Sequence, residues 1–232
     1  MFEIRTSVFN VFQENTYLIW KSKDHAVVID PGFYYPAEKE KFFSTVAGLG
    51  LHIDAVLLTH SHFDHICGVK AVQDAFGCKV YAHPADAAVV EFDAKLLNHM
   101  CIDIPDRTYI TTDIGDGSVI EEGGFKFKVI ATPGHTPGCV CFFDGAEGIV
   151  FTGDTLFSGT IGRTDFNYSD YDKEIVSIME KLILIDPGTE VLPGHGPTTT
   201  IGHERTHNPM LEPFNEPEEK FDPDLPGISI TR

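Results

Sequence analysis

The stretch LLTHSHFDH, Leu57–His65, decides how this chain is read. An apolar run of the kind that fills a buried β-strand stops at Thr59, and four groups that bind protons or metals follow within six residues: His60, His62, Asp64 and His65. Imidazole nitrogen and carboxylate oxygen are ordinary donors for zinc, iron or manganese, at about 2.0–2.2 Å for zinc. In an extended turn His60 and His62 point the same way, while the adjacent Asp64 and His65 point elsewhere, so the stretch is suited to two ions.

Three more candidates stand in similar contexts. His135 follows the run KFKVIA through Thr132-Pro133-Gly134, Asp154 follows GIVF through Thr152-Gly153, and His195 follows EVL through Pro193-Gly194. Ends of neighbouring strands lie side by side, so loops distant in sequence converge at a rim, and glycine lets backbone approach closely there. The expected division is His60, His62 and His135 on one ion, and Asp64, His65 and His195 on a second. Asp154 then bridges with its two oxygens. Such sites keep open positions, a catalytic arrangement rather than a closed structural one. Two ions sharing a water lower its pKa towards neutrality, and Asp64 is the candidate catalytic residue that orients the resulting hydroxide and shuttles its proton. The expected cofactors are two divalent metal ions, zinc first, with iron and manganese as alternatives.

Arg163, just after the Asp154 loop, has two readings: a fork for a substrate carboxylate, or an internal partner of Asp165. His83, after KVYA, is the remaining histidine best placed to approach the centre. His25, His52, His99, His203 and His207 read as surface or supporting residues, and Arg205 as a structural ion-pair partner.

Composition bounds the partners. With 17 basic against 35 acidic residues the formal charge is −18, which repels nucleic acid and anionic membranes. No apolar run of about 18 residues and no signal-peptide pattern is visible, and five scattered cysteines suit reduced thiols. The expectation is therefore a cytoplasmic protein with a small-molecule substrate. Cys139 and Cys141, in CVCFF, read as buried small apolar residues.

Short β-like runs are predicted at 2–8, 17–20, 26–30, 55–59 and 79–82, then at 118–121, 125–131, 139–143, 149–152 and 190–192. FKFKV alternates cleanly, with Phe125, Phe127 and Val129 inward. Helices are predicted near 38–47, 66–75, 170–184 and 200–208. The third has Ser169 and Asp172 as a capping box and Ile175, Ile178, Met179 and Leu182 as one stripe. Two β-rich halves, each closed by helices, predict an α+β domain over 1–208 in which two sheets pack face to face with helices outside. Residues 209–232, acidic and with five prolines, are expected to be an extended tail whose final GISIT could join a sheet edge.

THSHFDH, with PGHTPG, FTGDTLF and PGHG downstream in that order and VVIDPG at 27–32, resembles the metallo-β-lactamase-fold hydrolases over nearly the whole chain to about residue 208. The resemblance implies an αββα sandwich of two mixed sheets and a metal centre. SGTIGRTDF (158–166) and PGHGPTTTIGHERTHNP resemble the glyoxalase II-like thioesterases, hydroxyacylglutathione hydrolases in particular. The longer members of that group hold glutathione with a C-terminal helical domain, whereas 37 residues follow His195 here, so the resemblance is to short forms. It implies hydrolysis of hydroxyacyl thioesters. The alternatives are a mononuclear-iron persulfide dioxygenase or a lactonase on the same fold.

Overall fold

The computed structural model describes residues 2–22, 24–89, 94, 97–99, 102–103 and 105–215. The first sheet is built in chain order from β1 (Glu3–Phe9), β2 (Glu14–Ser22), β3 (His25–Ile29), β4 (Ile53–Leu57), β5 (Lys79–Ala82) and β6 (Thr111–Asp113). Its first three strands pair antiparallel, and β3 to β6 run parallel. The rest of the chain supplies β7 (Val119–Glu122), β8 (Phe125–Ala131), β9 (Val140–Asp144), β10 (Ile149–Gly153), β11 (Leu156–Phe157), β12 (Thr160–Ile161), β13 (Glu190–Pro193) and β14 (Thr199–Thr200). The second sheet has the order β14-β13-β10-β9-β8-β7, with β10 and β13 parallel, and β11 and β12 form a small separate hairpin. Both sheets are mixed.

Alternation in β8 puts Phe125, Phe127 and Val129 in the interior and both lysines outside. Those side chains meet Ile29 and Leu57 of the first sheet and Phe142 and Phe151 of the second in one apolar layer. Phe127 is fully buried, with its ring 6.3 Å from that of Phe142 and 6.2 Å from that of Phe151. Phe127→Ala should cost about 3–5 kcal/mol, because the aromatic void cannot collapse between two sheets; urea denaturation measures it.

Helices cover both outer faces. Phe42 and Val46 of α1 (Pro36–Leu49), with Val69 and Val72 of a later helix, cover the first sheet. The helix expected over 66–75 is two pieces, α2 (Phe63–Ile66) and α3 (Val69–Phe76). Between them the Gly68 N–H leaves the helical ladder and donates to the Pro31 carbonyl at 2.7 Å, and a Cβ there would press on that carbonyl and on the Phe33 ring.

On the other face, α4 (Tyr171–Ser177) runs into a π-helical turn, Ile178–Leu182, and the expected stripe buries Ile178 and Leu182. The expected capping box is not the one formed. Asp170 caps α4 by accepting from the Lys173 N–H, and Ser169 Oγ donates to the His135 carbonyl at 2.6 Å. A last helix, α5 (Ile201–His207), is capped by Thr200.

The αββα sandwich expected from the sequence is thus the fold. Residues 209–214, expected to be extended, form a 3₁₀ turn whose Leu211 is buried against the helical layer. The GISIT segment lies outside the described residues.

Candidate metal centre

Strands β8, β10 and β13 end at the same rim of the second sheet, and β4 of the first sheet ends opposite them. His60 follows β4, and His62, Asp64 and His65 lie in and beside the first turn of α2. His135 follows β8, Asp154 follows β10 and His195 follows β13. All seven predicted donors are brought together, and all but His195 are buried.

Within this group the atoms sort into the two expected sets. His62 Nδ1 stands 3.0 Å from His60 Nε2 and 2.9 Å from His135 Nε2. His65 Nε2 and His195 Nε2 are 3.3 Å apart, with Asp64 Oδ2 at 3.9 and 3.4 Å from them. Asp154 reaches both sets: Oδ1 is 3.4 Å from His65, and Oδ2 is 3.5 Å from both His135 and His195. Donors about 2.0–2.2 Å from one tetrahedral ion stand roughly 3.3–3.6 Å from each other. The His65–His195 and Asp154 spacings match that, the first set at 2.9–3.0 Å is drawn closer together, and Asp64 stands farther from His65. Asp154 Oδ1 is buried without a hydrogen-bond partner, which is costly unless a cation meets it.

Each clustered imidazole turns its other nitrogen to an acceptor. His65 Nδ1 donates to Asp30 Oδ2 (3.0 Å), His135 Nδ1 to the Arg163 carbonyl (2.8 Å) and His195 Nδ1 to the Phe12 carbonyl (3.0 Å). His60 Nδ1 faces Thr59 Oγ1 at 3.1 Å, whose own proton goes to Asp30 Oδ2, and His62 Nε2 faces the Tyr168 hydroxyl at 2.8 Å. That arrangement fixes the tautomer and leaves the inward nitrogen's lone pair free for an ion.

Electrostatics separates the two sets. Burial, with neighbouring imidazoles, pushes His60 and His62 well below the usual histidine range, so both are neutral donors. Burial also opposes charge on His65 and His195, but nearby carboxylates, Asp154 foremost, overcome it and raise both. Asp64 is held far below the carboxylate range because His65 and His195 outweigh its desolvation.

Glycines make the close approach possible. A Cβ on Gly194 would overlap Asp154 Oδ1 and stand 2.7 Å from His65 Cε1, and one on Gly153, at φ +50°, would strike Thr59.

The cluster floors a cleft of about 490 Å³ with apolar walls from Phe12, Phe63, Phe157, Ile161 and Phe166. Arg163 lines it too, while its guanidinium makes a two-pronged pair with Asp165 (2.7 and 2.8 Å) and lies 4.4 Å from the Phe166 ring centre. Of the two readings of Arg163, the pair with Asp165 is the one formed here. His83 does not join the cluster; its Nδ1 accepts from Ala85 N.

Several supporting residues were not singled out from the sequence. Asp86 accepts from Ser61 N, Thr136 Oγ1 and Gly138 N, tying the His60–His62 loop to the His135 loop. Glu174 accepts from His135 N at 2.8 Å, and Asn10 Nδ2 donates to the Asp64 carbonyl at 3.0 Å. Asp30, within VVIDPG, carries a positive φ of 47°, and the polar residue ending that apolar run was its one sequence signal.

Among the described residues no helix is long and apolar enough to cross a membrane, and the four described cysteines are free thiols. Burial pushes the Cys78 thiol up to about 11.

Comparison with known proteins matches residues 9–195 to a family described as the Metallo-beta-lactamase superfamily. Hydroxyacylglutathione hydrolase GloC of Haemophilus influenzae is 36% identical over 206 residues, covering 86% of this chain and 93% of that protein. The crystal structure of BLEG-1 B3 metallo-beta-lactamase aligns with a TM-score of 0.82 and 35% identity, over 91% of this chain and 99% of that one. TTHA1623 in a di-iron-bound form aligns at 0.79 and 36% identity, over 89% of this chain and all of that one.

Proposed function

The chain belongs to the metallo-β-lactamase superfamily, a family of metal-dependent hydrolases, and we propose that it is a dinuclear thioesterase that cleaves hydroxyacyl thioesters of a small, glutathione-type thiol. The observation that carries this reading is the donor cluster. Five imidazoles, each with its outer nitrogen on an acceptor, converge on two carboxylates at the floor of an apolar cleft. Similarity to a hydroxyacylglutathione hydrolase supports the choice of bond.

His60, His62 and His135 would hold one ion, Asp64, His65 and His195 the other, and Asp154 both. Their His/Asp chemistry suits zinc, iron or manganese. When bound, the ions supply Lewis acidity and a nucleophilic water at neutral pH.

The chain's own residues do the rest. Asp64, kept ionised and facing the cleft, is the proton acceptor for the attacking water. Phe12, Phe63, Phe157 and Phe166 exclude bulk water around the scissile carbonyl and take the apolar part of the ester. Arg163 faces a carboxylate on the substrate, in exchange with Asp165. On this reading the protein works in the cytoplasm and needs neither nucleic acid nor a membrane.

The test is thiol release from S-lactoylglutathione by metal-loaded protein, with and without prior chelation. Rapid, chelator-sensitive release is expected. A second reading, β-lactam hydrolysis, is favoured by the similarity to the BLEG-1 enzyme. A higher kcat/KM on nitrocefin than on the thioester would select it instead. Oxygen uptake with glutathione persulfide, and no thiol release from S-lactoylglutathione, would select the dioxygenase.

A further inference from the structure

Four of the five clustered histidines rest their outer nitrogens on buried side chains or on backbone carbonyls: the Asp30 and Thr59 side chains and the Arg163 and Phe12 carbonyls. The fifth is different. His62 Nε2 rests on the hydroxyl of Tyr168, a half-buried side chain 106 residues away on the loop between Arg163 and α4. His62 is also the hub of its set, with Nδ1 within 3.0 Å of both His60 and His135.

The same loop holds His135 from two sides, through the Arg163 carbonyl to Nδ1 and through Ser169 Oγ to the His135 carbonyl. Tyr168 is braced in turn by Phe166, whose ring is stacked on it at 5.3 Å and 13° and stands 5.3 Å from the His62 ring. His65 and His195 instead rest their outer nitrogens on Asp30 and on the Phe12 carbonyl, both outside this loop.

We infer that Tyr168 is a positioning residue for the first ion alone, holding His62 so that Nδ1 rather than Nε2 is presented to His60 and His135. A neutral imidazole that donates Nε2–H to the phenol oxygen has its lone pair on Nδ1, aimed inward. Without the hydroxyl, the ring is free to exchange tautomers and to rotate, and the first set loses its hub. This rests on the two-ion reading above and assigns a separate control to one of the two ions.

The experiment is chelator-competition titration of metal-stripped protein with zinc, comparing the wild-type chain with Tyr168→Phe, which keeps the ring stack and removes one oxygen. Loss of such an outer hydrogen bond typically weakens metal affinity 10–100-fold. One zinc should weaken by about that factor and the other by less than twofold, with the unfolding temperature of the stripped protein unchanged. In a His195→Ala background, Tyr168→Phe should weaken the remaining ion; in a His135→Ala background it should not. Equal affinities in wild type and variant overturn the inference and leave the two-ion reading standing. Weakening of both ions together with a lower unfolding temperature shows a merely structural tyrosine and also overturns it. A wild-type chain that takes up no zinc overturns the two-ion reading and this inference with it.

Discussion

Asp64→Asn should lower kcat for thioester hydrolysis by about 10²–10⁴-fold, the range for loss of a positioned proton acceptor, with a far smaller change in KM. The amide keeps the shape and the hydrogen bond of the Asp64 carbonyl to Asn10, so the fold around it is retained. It removes the one carboxylate that faces the cleft and belongs only to the second set, 3.4 Å from His195 Nε2. Metal analysis should find the first ion retained, because His60, His62, His135 and Asp154 are untouched. A variant within threefold of wild-type kcat would remove Asp64 from the chemistry.

Stripping both ions should abolish hydrolysis and lower the unfolding temperature. A ligand held at a thousandfold above its Kd stabilises by about 4 kcal/mol, which for a domain of this size is roughly 8–16 °C for each ion. The physical cause is the carboxylate group at the rim. Asp30, Asp64 and Asp154 stand buried 3.0–3.9 Å from His65, and bound cations would offset the repulsion among them. Calorimetry with and without chelator measures the shift; an unchanged midpoint would mean that the cluster holds no ion in the folded protein.

The donors could be read from the sequence because each of the four segments that carry them follows an apolar run, and a run's end fixes where the next side chains sit. Two sheets with outer helices followed from period-two and helical patterns over strands such as β8. Local pattern was silent where a contact joins distant residues. Phe12, in the β1–β2 turn, gives its carbonyl to His195, 183 positions away. Tyr168 meets His62 across 106. Gly68, between α2 and α3, gives its N–H to Pro31 and leaves no room for a side chain against Phe33, both distant in sequence. Ser169 looked like a cap by spacing alone, yet its hydroxyl found a nearer acceptor in the His135 carbonyl and left the cap to Asp170.

The donor set also has a history within each molecule's synthesis. His65 and His195, the two imidazoles of the second set, are separated by 130 residues. At about 5–20 residues per second, roughly 6–26 s pass between the emergence of one and of the other. Until β13 adds beside β10, an ion can meet His60, His62, Asp64, His65, His135 and Asp154, but the second set still lacks His195. Strand β13 therefore works as a clasp, since it brings the last of the seven donors, His195, to the rim.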